Sequence, residues 1–325
     1  MASGNDALLA FRKEATYATE PGTVVPARFL PFVSESIAFT RNRAFSQVLG
    51  MGRWQRPSTL TTRGGSGELQ GEVMSNGMGY FLDALHGGTV TPVVQGTLAY
   101  LQSHTLLTAP TKTYTMYKSI PAVSSGSLFP IAYTGMMFTG ITFNWTAGGL
   151  FTWSTNAIVN DEDTTPTNNP SYSAPSAWEP FAFQGGSVTI GGSPEANIIG
   201  DGSITIGASM RDDAYALGTG GTMAKPVETD KPSAEGQFTA DFNDLTNINR
   251  VVNDTQADVV LRFEGDEIES GRPYYIEITV PDCVFTTASP TIQGPGPVQQ
   301  NVAFTAASST NDPVVIRYQS ADSAL

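Results

Sequence analysis

The stretch that decides the fold class runs from Tyr275 to Val280 and reads Tyr-Ile-Glu-Ile-Thr-Val. Apolar and polar side chains alternate along it without interruption, which is the pattern of a β-strand with one buried face. Similar alternation recurs at 36–40, 68–73, 203–206 and 259–263. Glycine (33 residues) and proline (21 residues) are plentiful, as the turns of a β protein require. The sequence therefore predicts a mainly-β chain.

Two short helices are predicted between the strands. Each has a capping residue followed by an apolar stripe at helical spacing. In the first, Ser75 is the expected N-cap and Gly87 the expected stop, and the stripe is Met78, Phe81, Leu82 and Leu85. In the second, Asp244 is the expected cap, and the stripe is Leu245, Ile248, Val251 and Val252.

The order of these elements occurs twice along the chain. Each half has a strand, a long loop (41–67 or 210–234), a second strand, a short helix and further strands. An internal duplication of this kind predicts two tandem β-sandwich or β-barrel units, each flanked by one helix. The expected division is an N-terminal arm at 1–25, a first unit at 26–160, a linker at 161–180 and a second unit at 181–325.

The charge of the chain argues against a protein that reads nucleic acid. Lysine and arginine number 17 against 30 aspartate and glutamate residues, giving a net charge of −13. Phosphate backbones are bound by basic side chains, so this excess of carboxylates disfavours such binding. It suits a wall that DNA passes without sticking, because the carboxylates repel phosphates. Charged residues make up only 14% of the chain, which indicates a surface largely covered by other protein.

Residues for catalysis or metal binding are scarce. Cys283 is the one cysteine, and His86 and His104 are the two histidines. Their spacing matches no zinc, nucleophile or phosphate-loop motif, so we expect no catalytic residues, no metal and no cofactor. The first 14 residues do not resemble a signal peptide, and no run of 18 apolar residues exists. We therefore expect a chain that remains in a cytoplasm-like compartment without membrane insertion.

Several short motifs, taken in order, resemble a known family. They are Arg28-Phe29-Leu30-Pro31-Phe32-Val33-Ser34-Glu35-Ser36, the strand 67–73 followed by Asn76-Gly77-Met78-Gly79-Tyr80-Phe81-Leu82, the run 133–138, and 311–314. Together they are similar to the major tail tube proteins of siphophages, the long-tailed bacteriophages. The resemblance covers most of the chain and is best over 26–160.

The resemblance implies a fold and an assembly. Two packed antiparallel sheets would carry a flanking helix, and the inner sheets of neighbouring copies would join into a ring-shaped β-barrel around a lumen. Rings would stack into a tube that conducts the genome into the host cell. If each chain holds two units, three chains would form a pseudo-sixfold ring; otherwise six chains would form it. Closing the sheet into a ring removes exposed strand edges.

The same resemblance implies partners and a location. The chain would bind other copies of itself, the tape measure protein and the tail terminator and tip proteins. Genomic DNA would only pass through the lumen. The subunit would be assembled in the host cytoplasm and would belong to the virion tail.

A cluster of arginines in the first long loop is the best candidate for a ring-to-ring contact. The cluster comprises Arg41, Arg43, Arg53, Arg56 and Arg63, with Trp54 among them. We expect a docking arm that meets an acidic face of the next ring, with Trp54 as its anchor. A solvated basic loop and a loop that contacts DNA are the alternatives. The second long loop adds Met210, Arg211 and Tyr215 to the expected interface.

Two other classes of protein share this composition. One is another virion or surface β protein, such as a capsid-decoration, adhesin or S-layer domain, which would need neither paired long loops nor ring closure. The other is a secreted β-sandwich enzyme acting on carbohydrate, which the missing signal peptide and missing catalytic pair disfavour.

Overall fold

The protein is mainly β with two short α-helices. The computed structural model describes residues 3–49, 53–54, 58–85, 88–106, 111–171, 178–195, 198–292, 294–307 and 314–325. The stretch at 275–280 is part of a long strand, and its alternation is confirmed. Ile276, Ile278 and Val280 are buried, whereas the intervening side chains are half-exposed.

The first half of the chain contains one helix and the strands that lead up to the predicted linker. In chain order they are β1 (Leu8–Lys13), β2 (Arg28–Phe29), β3 (Ser34–Glu35), β4 (Ala38–Phe45), β5 (Ser58–Glu72), α1 (Gly79–Ala84), β6 (Val93–Val94), β7 (Tyr100–Thr105), β8 (Tyr114–Pro121), β9 (Leu128–Phe138), β10 (Gly140–Trp145), β11 (Thr152–Val159) and β12 (Asp161–Asp163).

The second half contains the other helix and the remaining strands. In chain order they are β13 (Gly186–Ile190), β14 (Ser193–Pro194), β15 (Ile198–Gly207), β16 (Ser233–Asp241), α2 (Thr246–Val252), β17 (Ala257–Glu269), β18 (Arg272–Thr287), β19 (Pro290–Thr291), β20 (Gln299–Ala306) and β21 (Val315–Ser320).

The strands of the first half pair in a defined antiparallel order. Strand β4 pairs with β5, β5 with β11, and β11 with both β9 and β10. Strand β9 also pairs with β8 and with β12, and β8 pairs with β1.

The second half repeats this order. Strand β15 pairs with β16, β16 with β20, and β20 with the C-terminal part of β18. The N-terminal part of β18 pairs with β17 and with β21, and β17 pairs with β13. The C-terminal part of β18 thus stands where β10 stands in the first half, and β13 stands where β1 does. The pairing of β10 with β15 joins the halves.

One apolar core is shared by both halves. The rings of Phe151 and Phe263 stack with centroids 4.0 Å apart, and Phe143 stacks on Phe151 at 5.5 Å. Helix α1 lies on the first half, where the Phe81 ring is 4.5 Å from that of Trp153. Within the described residues the large sheet is open and not closed into a barrel, so a ring-shaped barrel requires further copies of the chain.

The apolar stripe predicted for α1 is confirmed, because Met78, Phe81, Leu82 and Leu85 are all buried. The predicted cap is wrong: the N-cap position is Met78, and the Ser75 hydroxyl instead accepts a hydrogen bond from the Glu179 N–H at 3.2 Å. The expected stop at Gly87, and His86 beside it, lie outside the described residues.

In α2, the Asp244 carboxylate does accept the Thr246 N–H at 2.7 Å, although the N-cap position itself is Leu245. Hydrogen bonds from the Thr246 hydroxyl and N–H lower the pKa of Asp244. The predicted stripe holds only in part, because Leu245 and Val252 are exposed while Val251 packs against the core.

Part of the segment expected as an N-terminal arm is a core strand. Residues 8–13 form β1, and Leu9, Ala10 and Phe11 in it are buried against β8 and β9. The buried Glu14 carboxylate fixes the chain after this strand, since it accepts hydrogen bonds from the Thr115 hydroxyl and the Gly135 N–H, both at 2.8 Å. Because a buried charge without hydrogen-bond partners is costly, these hydrogen bonds hold the chain at Glu14 in this place.

Two further boundaries differ from the sequence-based expectation. The segment at 41–67 is not a loop: most of it belongs to β4 and β5, which form a long β-hairpin. The expected linker at 161–180 begins with β12, and Pro180 at its end forms a bridge with Met74. Residues 172–177 of this linker lie outside the described residues.

Replacing Phe11 with alanine tests the assignment of β1 to the core. The side chain is 4% exposed, and its ring lies 6.1 Å from that of Phe138. We expect Phe11→Ala to lower the free energy of unfolding by about 3–5 kcal/mol in urea titrations. The control Val24→Ala, at a side chain that is 92% exposed, should change it by less than about 0.5 kcal/mol. Equal, small effects would mean that residues 8–13 are a detached arm.

Candidate assembly surfaces

The hairpin of β4 and β5 extends beyond the main sheet and carries most of the predicted interface residues. Arg41 is paired directly with Arg63, and Arg43 with Leu60, with a β-bulge between these pairs. Like charges opposite each other weaken a strand pair. The hairpin therefore concentrates positive charge at some cost to its own pairing.

The far end of this hairpin exposes large apolar side chains. Trp54 is 91% exposed and Leu49 is 93% exposed, and Phe45, Val48 and Leu60 are also exposed. Arg53 beside Trp54 is exposed as well, whereas Arg56 lies outside the described residues. Contiguous exposed apolar side chains mark an interaction surface more often than a solvated loop. We call residues 41–49, 53–54 and 58–63 the hairpin arm.

The arginines of the hairpin arm have different surroundings. Arg63 forms an ion pair with Asp161 at 2.9 Å and is thus held by its own chain. Arg43 donates to the Ser58 hydroxyl at 2.9 Å, and the Arg41 guanidinium lies 5.6 Å from the centre of the Phe39 ring. Arg41, Arg43 and Arg53 are exposed, so their charge is available to a neighbouring molecule.

The second predicted loop folds back on itself between β15 and β16. Met210 forms a bridge with Glu228, and Tyr215 forms one with Met223. Arg211 donates to the Asp213 carboxylate at 2.8 Å, and this hydrogen bond lowers the pKa of Asp213. Both side chains are exposed, so the pair contributes little to stability.

The structure brings this loop against the hairpin arm and the N-terminal segment. The Arg63 N–H donates to the Gly221 carbonyl at 2.8 Å. The Tyr17 hydroxyl donates to the Met223 and Ala224 carbonyls at 3.4 and 3.3 Å and accepts from the Asn160 amide at 2.9 Å. Burial raises the pKa of Tyr17 to about 12, so it remains a hydrogen-bond donor at neutral pH. Sequence reasoning missed Tyr17 and Asn160, which carry no local motif.

A second surface is the uncovered face of the large sheet. Strands β5, β11, β10, β15, β16, β20 and the end of β18 place every other side chain in the core, and the alternate ones point away from it. Those alternate side chains, none of them buried, define the polar face: Glu68, Gln70, Glu72, Thr152, Ser154, Asn156, Thr142, Asn144, Ser203, Thr205, Glu235, Gln237, Thr239, Asp241, Gln299, Asn301, Ala303, Thr305, Val284 and Thr286.

The polar face is acidic and hydroxyl-rich. Its charged members are Glu68, Glu72, Glu235 and Asp241, and in this set of described residues neither lysine nor arginine occurs. The Thr142 and Thr205 hydroxyls are 3.0 Å apart where the halves meet. Sequence reasoning expected inward-facing carboxylates without being able to name them, because the set depends on which strands become neighbours.

Within the described part of the chain, no group of three or more His, Cys, Asp or Glu residues is arranged to hold a metal ion. None of the described helices has the length and apolar character that a membrane span requires.

A mainly-β chain with a projecting basic arm, an open sheet and an uncovered acidic face has the features of a subunit built for assembly. Comparison with known families agrees, since residues 4–306 match the family described as phage tail tube protein. The chain belongs to that family, which is a structural family of the phage tail. No curated protein matches the chain.

Substitutions at two glycines test the contact between the loop and the hairpin arm. Gly218 and Gly221 both have positive φ, at 85° and 82°, so alanine is strained at either position. Only at Gly221 would the added Cβ meet the hairpin, 2.5 Å from the Thr61 carbonyl oxygen; at Gly218 the space is open.

We expect Gly221→Ala to lower the free energy of unfolding by about 1–3 kcal/mol more than Gly218→Ala does, as overpacking typically does. Urea titrations of both variants provide the measurement. Equal losses would show that the loop does not pack on the hairpin arm in solution.

Proposed function

We propose that this chain is the major tail tube subunit, which forms stacked rings whose lumen conducts the genome during ejection. The observation that carries the proposal is the polar face. A sheet is covered by a core on one side, and on the other side the charged side chains of its strands are all carboxylates, which suits the lining of a DNA conduit; Lys231 lies in the loop beside this face. The charges of Glu68, Glu72, Glu235 and Asp241 would repel phosphates along the passage.

The repeated pairing order supports a ring of three chains. Because each chain supplies two similar sets of strands, three chains would give a ring of pseudo-sixfold symmetry. The alternative of six chains would place twelve such sets around the lumen. Native mass spectrometry separates the two, since the expected ring has three times the chain mass of 34.4 kDa.

The hairpin arm and the adjoining loop would make the contact between rings. Trp54 and Leu49 supply apolar area, and Arg41, Arg43 and Arg53 supply charge that complements the acidic remainder of the molecule. Arg56 is proposed for the same contact from its position in the sequence. Met210, Arg211 and Tyr215 lie on the loop beside the arm and would support it, while Arg63 would act chiefly by fixing the arm through Asp161.

Other parts of the proposal concern the virion. The tape measure protein would occupy the lumen before ejection, and terminator and tip proteins would cap the tube ends. The chain would be assembled in the host cytoplasm and bind DNA only in passing. No catalytic step is proposed.

Substitutions in the hairpin arm test the ring-to-ring contact. We expect Trp54→Ala, and separately Arg53→Glu combined with Arg56→Glu, to leave the fold intact. Each should raise the concentration at which tubes form by at least about tenfold, because loss of an interface anchor costs about 2 kcal/mol. Negative-stain microscopy gives the readout, with circular dichroism to check folding.

The matched control is Val123→Ala, which alters an exposed side chain in the β8–β9 turn, outside the arm. It should assemble as the unmodified chain does. Normal tubes from both arm variants would overturn the assigned contact. Flat arrays in place of tubes from the unmodified chain would favour a surface-layer protein.

Charge reversal on the polar face tests its position in the lumen. Tubes of Glu72→Lys combined with Glu235→Lys should retain short DNA duplexes in a salt-dependent manner, whereas unmodified tubes should not. Asp266→Lys, which reverses the charge of an exposed side chain near the end of β17, is the control for charge alone. Equal DNA retention by the control variant, or none by the double variant, would contradict a lumen-facing position.

A further inference from the structure

One row of directly paired residues crosses eight strands of the sheet from edge to edge. In order, the row is Ser34, Gln70, Ser154, Thr142, Thr205, Glu235, Thr305 and Val284. The first four residues belong to the first half of the chain and the last four to the second half. The row therefore has a period of four strands.

The pair in the middle of the row is a joint between two equivalent sets of strands. Strand β10 ends the first set, and its outer edge pairs with β15, which begins the second set. Six residue pairs make this joint, with Thr142 opposite Thr205 and Phe143 opposite Ile204. This joint shows, within one chain, how the last strand of one set pairs with the first strand of another set.

Two features show that the sets correspond residue by residue along this row. Gly71 lies opposite Trp153, and Gly236 lies opposite Phe304; in both pairs a Cβ on the glycine would overlap the aromatic ring. A glycine that makes room for a ring thus occupies the same place in each set. The sets are therefore aligned without a shift along the strands.

The second feature is a backbone irregularity at the same place in each set, namely a gap between two strands in the first set and a β-bulge within one strand in the second. Strand β9 ends at Phe138 and β10 begins at Gly140, so Thr139 separates them. Counted from the row, the matching position in β18 is Pro281, next to Asp282 with its positive φ of 47°. Beyond that irregularity, Val284 corresponds to Thr142, just as Ser34 corresponds to Thr205.

The two ends of the row are edges with no partner strand among the described residues. Strand β3 pairs with β5 on one side, and the end of β18 pairs with β20 on one side. At the first edge, side chains that a partner strand would cover are exposed to solvent. Val33 is 66% exposed, whereas its counterpart Ile204, which β10 covers, is 1% exposed.

We propose that the outer edge of β18 at 284–286 pairs antiparallel with β3, and with the residue before it, in a second copy of this chain. At Cys283 this edge is already paired with Ala257 of β17. The register repeats that of the internal joint, so Val284 lies opposite Ser34 of the second copy and Phe285 opposite Val33. This inference rests on the proposed tube function and adds the strands and the register through which rings close. Joints within and between chains would alternate around each ring, and every strand edge of the row would be paired.

Disulfide trapping tests the register. The chain Ser34→Cys, Val284→Cys should form disulfide-linked multimers when assembled tubes are oxidised, because directly opposed Cβ atoms lie about 4.5–5.5 Å apart. The native Cys283 is fully buried, and burial raises the pKa of its thiol to about 12, so it should not compete.

Two controls calibrate the result. Thr142→Cys with Thr205→Cys places the same pair at the internal joint and should give a disulfide within one chain. Ser36→Cys with Val284→Cys is displaced by two residues and should give at most a tenth of the multimer seen with the matched pair.

A second measurement does not depend on disulfide geometry. A benzophenone attached at Val284→Cys should form its adducts with residues 32–36 of another chain, identified by peptide mass spectrometry. Tubes with adducts elsewhere, or a stronger disulfide with Ser36→Cys, would overturn the joint while leaving the tube function intact. Absence of tubes from the unmodified chain would instead contradict the proposed function.

Discussion

Backbone hydrogen bonding at the edges of the large sheet is the constraint on which the rest of the structure depends. An antiparallel sheet carries unpaired N–H and C=O groups along each edge, and these groups favour addition of another strand. Here the core side of the sheet is covered by aromatic packing, such as that of Phe151 on Phe263. Among the residues that the structure describes, the other side of the sheet is uncovered and both edges of the row lack a partner strand. A protein with this pattern is incomplete as a single chain, and further copies of itself complete it.

The distribution of charge follows the same division of surfaces. The charged residues of the polar face are all carboxylates, whereas exposed arginines lie on the hairpin arm. An arm that is positive and apolar can bind an acidic protein surface, and an acidic lining can let DNA pass without binding it. The net charge of −13 is a sum over the whole chain, and it includes an acidic surface and a basic surface that are each suited to a different contact.

Much of the fold could be predicted from the sequence where side-chain periodicity is strong. The alternation at Tyr275–Val280 and the stripe of α1 are local patterns, and both are confirmed. Strand β1 was missed because Leu9, Ala10 and Phe11 are all buried, so no alternation marks it. The sequence predicts a loop in place of the hairpin of β4 and β5 for the opposite reason: most side chains along β4 are exposed, so apolar residues do not alternate.

The candidate surfaces were predictable to a lesser extent. The arginine cluster and Trp54 are visible as composition. Of the described members, Arg41, Arg43, Arg53 and Trp54 are exposed, and their place in an interface stays a prediction. The polar face and the row from Ser34 to Val284 depend on which distant strands become neighbours, and one sequence does not contain that information.

The most direct test of the account is a cryo-electron microscopy reconstruction of tubes assembled from the purified chain. We expect the polar face to line the lumen and Val284 of each chain to lie beside Ser34 of the next. A map with the polar face on the outer wall, or with those two strand edges apart, would contradict it.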